Sequence, residues 1–401
     1  MPSVSVPSGT NFDFQMAFSS DSNYQLAQQL ANTLLVPSEN GTETFQLYTL
    51  DNQPISTVPG GNTGVLAIVE GLFPLNTPVT VPSSYSFTAI ETYNGNTTVQ
   101  GNGGENQSIL ISSVTGIEFN TGGGSGTVVA GQGNDLIGTP TSGGGNYVFS
   151  GGPGNDTITA FSGNDTVSTG SGSNLIGLGT GNDLVDLSGT NDTVVAGSGN
   201  DTVAVSGSDN ALVFGGSGNL TFLNGSGPST VVGGTGSETI QGGTGGGLYQ
   251  GGSGGNNSIS GGTGKATIFG GGSGDTLAAG GSHGDALVAA TGNETLTSAS
   301  SQGLDSMYGG TGQDLMIAGA GGDLMDGGSG LMNFDFSKGL TNAGSTYAVF
   351  NYHAGDTVTL SGYSGTPTET SAGGNTVLGL SDGTQITFVG VASGSSLNIQ
   401  T

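Results

Sequence analysis

The residues of this chain best placed to do chemistry are its aspartates. Asp156, Asp165, Asp183, Asp192 and Asp201 fall on one lattice of nines, and Asn174 fills the vacant step. Their settings repeat, as in Gly152-Pro153-Gly154-Asn155-Asp156, Gly179-Thr180-Gly181-Asn182-Asp183 and Gly197-Ser198-Gly199-Asn200-Asp201, with Asp135 closing the same pattern in Gly131-Gln132-Gly133-Asn134-Asp135. A second run holds Asp275, Asp285, Asp305, Asp314 and Asp323, best matched in Gly310-Thr311-Gly312-Gln313-Asp314 and Gly319-Ala320-Gly321-Gly322-Asp323. Glycine lets a loop reach positive φ and turn its carbonyls inward, and aspartate adds anionic oxygen. That is the donor set of a hard divalent cation. Such an ion takes about six to eight oxygens at about 2.3–2.6 Å, more than one loop offers, so two stacked loops must share it.

The elements that position these loops are legible beside them. The second residue after each repeat aspartate is apolar: Ile137, Ile158, Val167, Val185, Val194 and Val203, then Leu277, Leu287, Met307, Met316 and Met325. One inward apolar residue per short strand is what a thin solenoid core requires, and neighbouring turns must stack to bury it.

These units resemble the Gly-Gly-x-Gly-x-Asp-x-apolar-x nonapeptides of the repeats-in-toxin (RTX) family over residues 126–330. The resemblance implies a right-handed parallel β-roll with two repeats per turn, several calcium ions between loops stacked on one edge, and type I secretion through an uncleaved C-terminal signal. On that geometry aspartates 18 apart share an edge. Asp165, Asp183 and Asp201 then form an uninterrupted ladder, while the other edge reads Asp156, Asn174, Asp192, Asn210. The first edge is expected to hold calcium more tightly, because each shared site has two carboxylates where the second edge has one.

The lattice is uneven. Spacings of ten and eleven around Asp285 and Asp305 interrupt the strict period there. Between 210 and 270 the aspartate position holds Asn210, Asn219, Ser229, Glu238, Asn257 or Ala266, which predicts a roll with little metal, held by inward Leu212, Val231, Ile240, Ile259 and Ile268.

Residues 1–125 read as a separate α+β or mainly β domain. A capping box at Ser22-Asn23-Tyr24-Gln25 opens a helix through Leu35, with strands at 44–50, 65–69, 85–90 and 108–119. Residues 331–401 read as a β cap carrying the secretion signal, with strands at 346–352 and 357–363 and a hairpin across Ser381-Asp382-Gly383. The expected fold is mainly β: a parallel β-roll or β-solenoid between these two flanking regions.

Composition bounds the function. The 401 residues include 83 Gly and no Cys, and two cationic residues face 29 acids for a net charge of -27. That charge repels nucleic acid and anionic membrane surfaces, so neither is an expected partner. No stretch approaches the roughly 20 apolar residues of a membrane helix, and the start Met1-Pro2-Ser3-Val4-Ser5 lacks the features of a cleaved leader. His283 and His353 have no Cys or His partner nearby in sequence, and no nucleophile elbow, His-Glu-x-x-His pattern or phosphate loop occurs. The expectation is a secreted, non-enzymatic, calcium-binding structural protein of a bacterial surface or matrix, whose partners are calcium, copies of itself and cell-surface glycan. The alternative is a calcium-dependent adhesin or an ice- or ligand-binding solenoid presenting a face of Thr157, Thr166, Thr193 and Thr202, an array that Leu175 and Leu184 interrupt.

Overall fold

The computed structural model describes residues 3–7, 13–17, 25, 28–29, 44–49, 55, 64–69, 78–92, 97–113, 115–139, 144–392 and 397–401. It is a parallel β-solenoid built from two sheets, and the chain divides into two compact units, Met1–Ala204 and Val205–Thr401. Among the described residues no helix is long and apolar enough to cross a membrane. The helix expected at 22–35 falls almost wholly outside the described residues. Gln25, Gln28 and Gln29 are described and are helical.

In the first unit one sheet stacks Gly64–Val69, Tyr85–Thr92, Gln107–Ser113, Gly124–Val129, Gly144–Ser150, Thr166–Ser168 and Leu184–Leu187 in parallel. The other stacks Val79–Thr80, Thr98–Gln100, Glu118–Asn120, Leu136–Gly138, Thr157–Ser162, Leu175–Thr180 and Thr193–Val195. Through the regular repeats the register is 18, pairing Ile158 with Ile176 and Val167 with Val185. Two nonapeptides therefore make one turn, one strand in each sheet.

The composition change near residue 125 is not a break in stacking. Gly124–Val129 pairs in parallel with Gln107–Ser113 on one side and Gly144–Ser150 on the other. The earlier turns keep the architecture without the motif because longer apolar runs, including Phe87, Ala89, Ile90, Ile109, Leu110 and Ile111, fill their interior. The strand expected across 108–119 is two strands, broken where Gly116 turns with φ 92°.

In the second unit the parallel stack likewise runs past residue 331. Leu331–Asp335 pairs with Gln313–Ile317 and with Thr357–Thr359, and Thr346–Phe350 pairs with Leu324–Asp326. The expected hairpin is present as Asn375–Gly379 against Gln385–Phe388, joined by an antiparallel Thr368–Ala372 that the sequence did not signal. Gln385–Phe388 also pairs in parallel with Thr346–Phe350, so this sheet's order changes from parallel to antiparallel at its end. Phe336 against Tyr347, and Phe388 against Tyr352, fill the interior there with edge-to-face rings.

The core is two side chains thin. Each apolar residue that follows a repeat aspartate by two is fully buried, from Ile137 to Met325, while its neighbours point outward because strand side chains alternate. We expect Ile176→Ala to lower stability by about 3 kcal/mol in calcium-saturated urea unfolding. Leu175→Ala, at a position left 46% exposed, should change it by less than about 0.5 kcal/mol.

Candidate functional site

Every sequence-predicted aspartate is buried at a loop edge. Asp135, Asp156, Asp165, Asp183, Asp192 and Asp201 in the first unit, and Asp275, Asp285, Asp305, Asp314 and Asp323 in the second, are each at most 3% exposed. A row of carboxylates this deep must be satisfied by something.

Backbone amides satisfy half of each carboxylate. Tyr147 N–H donates to Asp165 Oδ1 at 2.7 Å, Asp165 N–H to Asp183 Oδ1 at 2.7 Å, and Asp183 N–H to Asp201 Oδ1 at 3.1 Å. The other edge reads Ile117, Asp135, Asp156, Asn174, Asp192, each N–H donating to the next residue's Oδ1 at 2.7–2.9 Å. Both edges inferred from the 18-residue spacing are therefore physical ladders in the first unit. Each aspartate reaches back to the turn before it.

The asparagine that precedes many of these aspartates reaches the other way. Asn134 Oδ1 accepts Asn155 N–H, Asn164 Oδ1 accepts Asn182 N–H, and Asn182 Oδ1 accepts Asn200 N–H, all at 2.8 Å. The Asn-Asp dipeptide thus clamps each turn to both neighbours. Sequence reasoning missed this role, although the recurrence of Asn before Asp was its signal.

The second unit sorts its aspartates onto two edges as well. Ala266 N–H donates to Asp285 Oδ1, Asp285 N–H to Asp305 Oδ1, and Asp305 N–H to Asp323 Oδ1, at 2.7–3.1 Å. The irregular spacings therefore leave the ladder intact. The extra residues lie in loops, and Leu287 still pairs with Met307 across a register of 20. On the other edge Asn257 N–H donates to Asp275 Oδ1 at 2.8 Å and Glu294 N–H to Asp314 Oδ1 at 2.9 Å.

Two acids in aspartate slots escaped the sequence reading. Glu294 is 2% exposed and Asp356 is fully buried, its Oδ1 taking Met332 N–H at 2.9 Å. Each has an apolar residue two positions later, Leu296 and Val358, which was the available signal. Asn210 is exposed, and Ala211, buried two residues before Val213 and accepting Thr230 N–H at its carbonyl, holds the slot, so the lattice slips by one residue there and Val213, not Leu212, is the buried core residue. A similar correction puts Leu220, paired with Glu238, in the slot assigned to Asn219. His283 and His353 are exposed.

The second carboxylate oxygen separates the sites. Asp156 Oδ2 accepts Gly152 N–H at 3.2 Å, and Asp192 Oδ2 accepts the Thr169 hydroxyl at 3.1 Å. Asp135, Asp165, Asp183 and Asp305 each have a buried Oδ2 without a hydrogen-bond partner. Asn174 supplies a further contrast, since its Nδ2 donates to Asp192 Oδ1 at 2.9 Å and a neutral amide does the work of a counter-charge. Lys265 and Lys338, the chain's two cationic side chains, are both exposed.

Burial pushes the Asp135 and Asp165 carboxyls up to about 7, and those of Asp156, Asp183 and Asp305 up to about 6. Their amide bonds offset this in part, and a neighbouring aspartate in each ladder raises them again by repulsion. Burial, then the adjacent Asp314, raises Glu294 to about 7.

A calcium ion fits this donor set. The carboxylates are hard oxygen donors with unpaired buried oxygens, and the glycine loops stack with their carbonyls against the next turn. At Gly172, where φ is 119°, a Cβ would lie 1.6 Å from the Gly154 carbonyl oxygen, so no side chain can enter that space. Among the described residues no three of His, Cys, Asp and Glu converge on one point. A site here must combine aspartates of stacked turns with backbone carbonyls.

Comparison with known families agrees. The RTX calcium-binding nonapeptide repeat matches residues 141–176, 178–203, 251–285 and 300–330. The chain carries RTX calcium-binding repeats. No curated protein matches it. The matched segments coincide with the aspartate-rich parts of both units and omit 204–250, where the carboxylate column is thin. RTX nonapeptide repeats bind calcium, and a calcium ion held by these carboxylates would supply the positive charge that offsets them.

Two outcomes follow. The raised carboxyls bind protons more tightly folded than unfolded, so their contribution to the metal-free fold is present below about pH 4 and lost as pH rises through 6–7. In chelator, the β signal in circular dichroism should therefore grow on acidification from about pH 8 to about pH 5, and calcium should restore it at pH 8. Separately, Asp183→Asn should weaken calcium affinity by on the order of tenfold, about 1.4 kcal/mol, and Asp192→Asn by clearly less. Equal losses by calorimetric titration would refute the inequality of the edges.

Proposed function

We propose that this is a secreted structural protein of the bacterial surface or extracellular matrix that folds on calcium outside the cell and assembles with copies of itself. One observation carries the reading: buried aspartate columns run along the loop edges, and the two lysines of the chain are both exposed. At low calcium, repulsion and desolvation of these carboxylates oppose folding, which suits export of an unfolded chain by a type I route. At millimolar calcium the ions neutralise the columns and binding free energy becomes folding free energy. The ligands we assign are the predicted aspartates together with Glu294 and Asp356, and the motif-bearing 126–330 is the metal-dependent part between regions that flank it.

The reading assigns no catalysis. The carboxylates are committed to the ladders, and the histidines are exposed. A rigid solenoid with many small ion sites suits a load-bearing subunit better than a receptor for one small molecule.

A second reading, a binding solenoid for a regular surface, gains one observation. The Thr array of the first unit is interrupted, since Thr166 pairs with Leu184 and Leu175 lies between Thr157 and Thr193. In the second unit an unbroken outward column runs Thr221, Thr239, Ser258, Thr276, Thr295. Such a hydroxyl row could meet a glycan or ice surface.

Circular dichroism and electron microscopy of the purified protein, with calcium and with chelator, separate the readings. Calcium-dependent β structure with ordered polymers is the expected result. Folded monomers would favour the binding module, and an identical β signal in chelator would defeat calcium-driven folding.

A further inference from the structure

The outer face of the second unit's other sheet is apolar, and we infer that it is the surface on which two copies of this chain pack face to face. One outward column, in register on eight successive strands, contains Phe214, Val232, Phe269, Val288, Tyr308 and Phe350, and the two strands that present Gln250 and Asp326 in it carry Leu248 and Leu324 beside them. The four aromatic rings among them are left 37–45% exposed. In the neighbouring column Leu248 and Leu324 are 42% and 38% exposed, with small residues such as Ala286 and Ser306 between them. Eight strands about 4.8 Å apart make this strip roughly 34 Å long. Scattered surface apolar residues need no explanation, but a contiguous strip of this length does.

Charge selects the occupant. The chain carries -27, so most approaches between copies bring carboxylates together. Within the two columns Asp326 is the one charged residue, and its Oδ1 accepts Asn351 Nδ2 at 2.6 Å. The strip is therefore a place where two acidic molecules meet with one carboxylate per copy at the contact, far less like-charge repulsion than their net charge would bring elsewhere. The opposite outer face, with its Thr and Ser column, offers no such surface.

Size is sufficient. Side chains of this kind leave on the order of 700 Å² accessible per copy, and two flat sheets stacked about 10 Å apart would together bury roughly 1,400 Å², within the range of specific interfaces. The backbone is held by ladders on both sides of each strand, so the strip pairs as a preformed surface with little ordering cost.

This inference rests on the reading of a self-assembling protein and names its contact surface. The test uses the full chain in millimolar calcium, with sedimentation velocity for mass and circular dichroism for folding. Phe269→Glu/Tyr308→Glu should keep the calcium-folded spectrum and weaken association at least tenfold, whereas Thr239→Glu/Thr276→Glu on the opposite face should leave it unchanged. Should the first variant fail to fold, Leu324→Lys carries the same expectation. Association equal in wild type and strip variant overturns the surface while leaving assembly intact, and equal weakening by both double variants likewise overturns it. A wild type that stays monomeric at high protein concentration overturns assembly and the strip together.

Discussion

The structure depends on a conflict between burial and charge. Stacking the turns requires glycine loops close enough for carbonyls to touch the next backbone, and this forces each loop's aspartate into the interior of its edge. Carboxylates one strand step apart repel by roughly 3 kcal/mol at an effective dielectric near 20, and each has also lost its water. Amides of the preceding turn answer one oxygen. The other, at Asp165 and Asp183, is left for a cation. The same geometry that makes the fold compact concentrates uncompensated carboxylate oxygens at its edges.

Directionality gives the stack its order. Aspartate oxygens accept from the turn before and asparagine oxygens from the turn after, so each Asn-Asp pair fixes the spacing in both directions. Where Asn174 replaces an aspartate, its amide donates to Asp192 and the ladder continues with one charge fewer. Along the middle of the chain Ser229, Glu238, Asn257 and Ala266 occupy the buried slots, and stability passes from ions to inward Val231, Ile240, Ile259 and Ile268. The density of buried carboxylates is thus graded along the chain rather than uniform.

The outward faces are free of these demands, and in the second unit they diverge. One presents hydroxyls at strand spacing and the other aromatic and aliphatic side chains. Two surfaces of opposite character on one rigid stack are what a subunit needs if it is to adhere on one side and pack on another.

Much of this was legible in the residues alone. The lattice of Asp156, Asp165, Asp183, Asp192 and Asp201 with its apolar partners determined a stacked repeat with one inward residue per short strand, and the resemblance to RTX nonapeptides added the two-strand turn, the parallel stack and the division of aspartates between two edges. What the sequence could not decide is where the period bends. Insertions beside Asp285 and Asp305 are absorbed in loops, a choice made by strand pairing, which tolerates length changes only there. Ala211 displaces Asn210, and Leu220 displaces Asn219, because burial in the stack, not counting, decides which residue faces inward. The stack's extension into residues without the motif likewise follows from pairing partners that lie a whole turn away in sequence. Which carboxylate oxygens remain unpaired is the last such decision, since it depends on amides and hydroxyls that only the folded turns bring within reach.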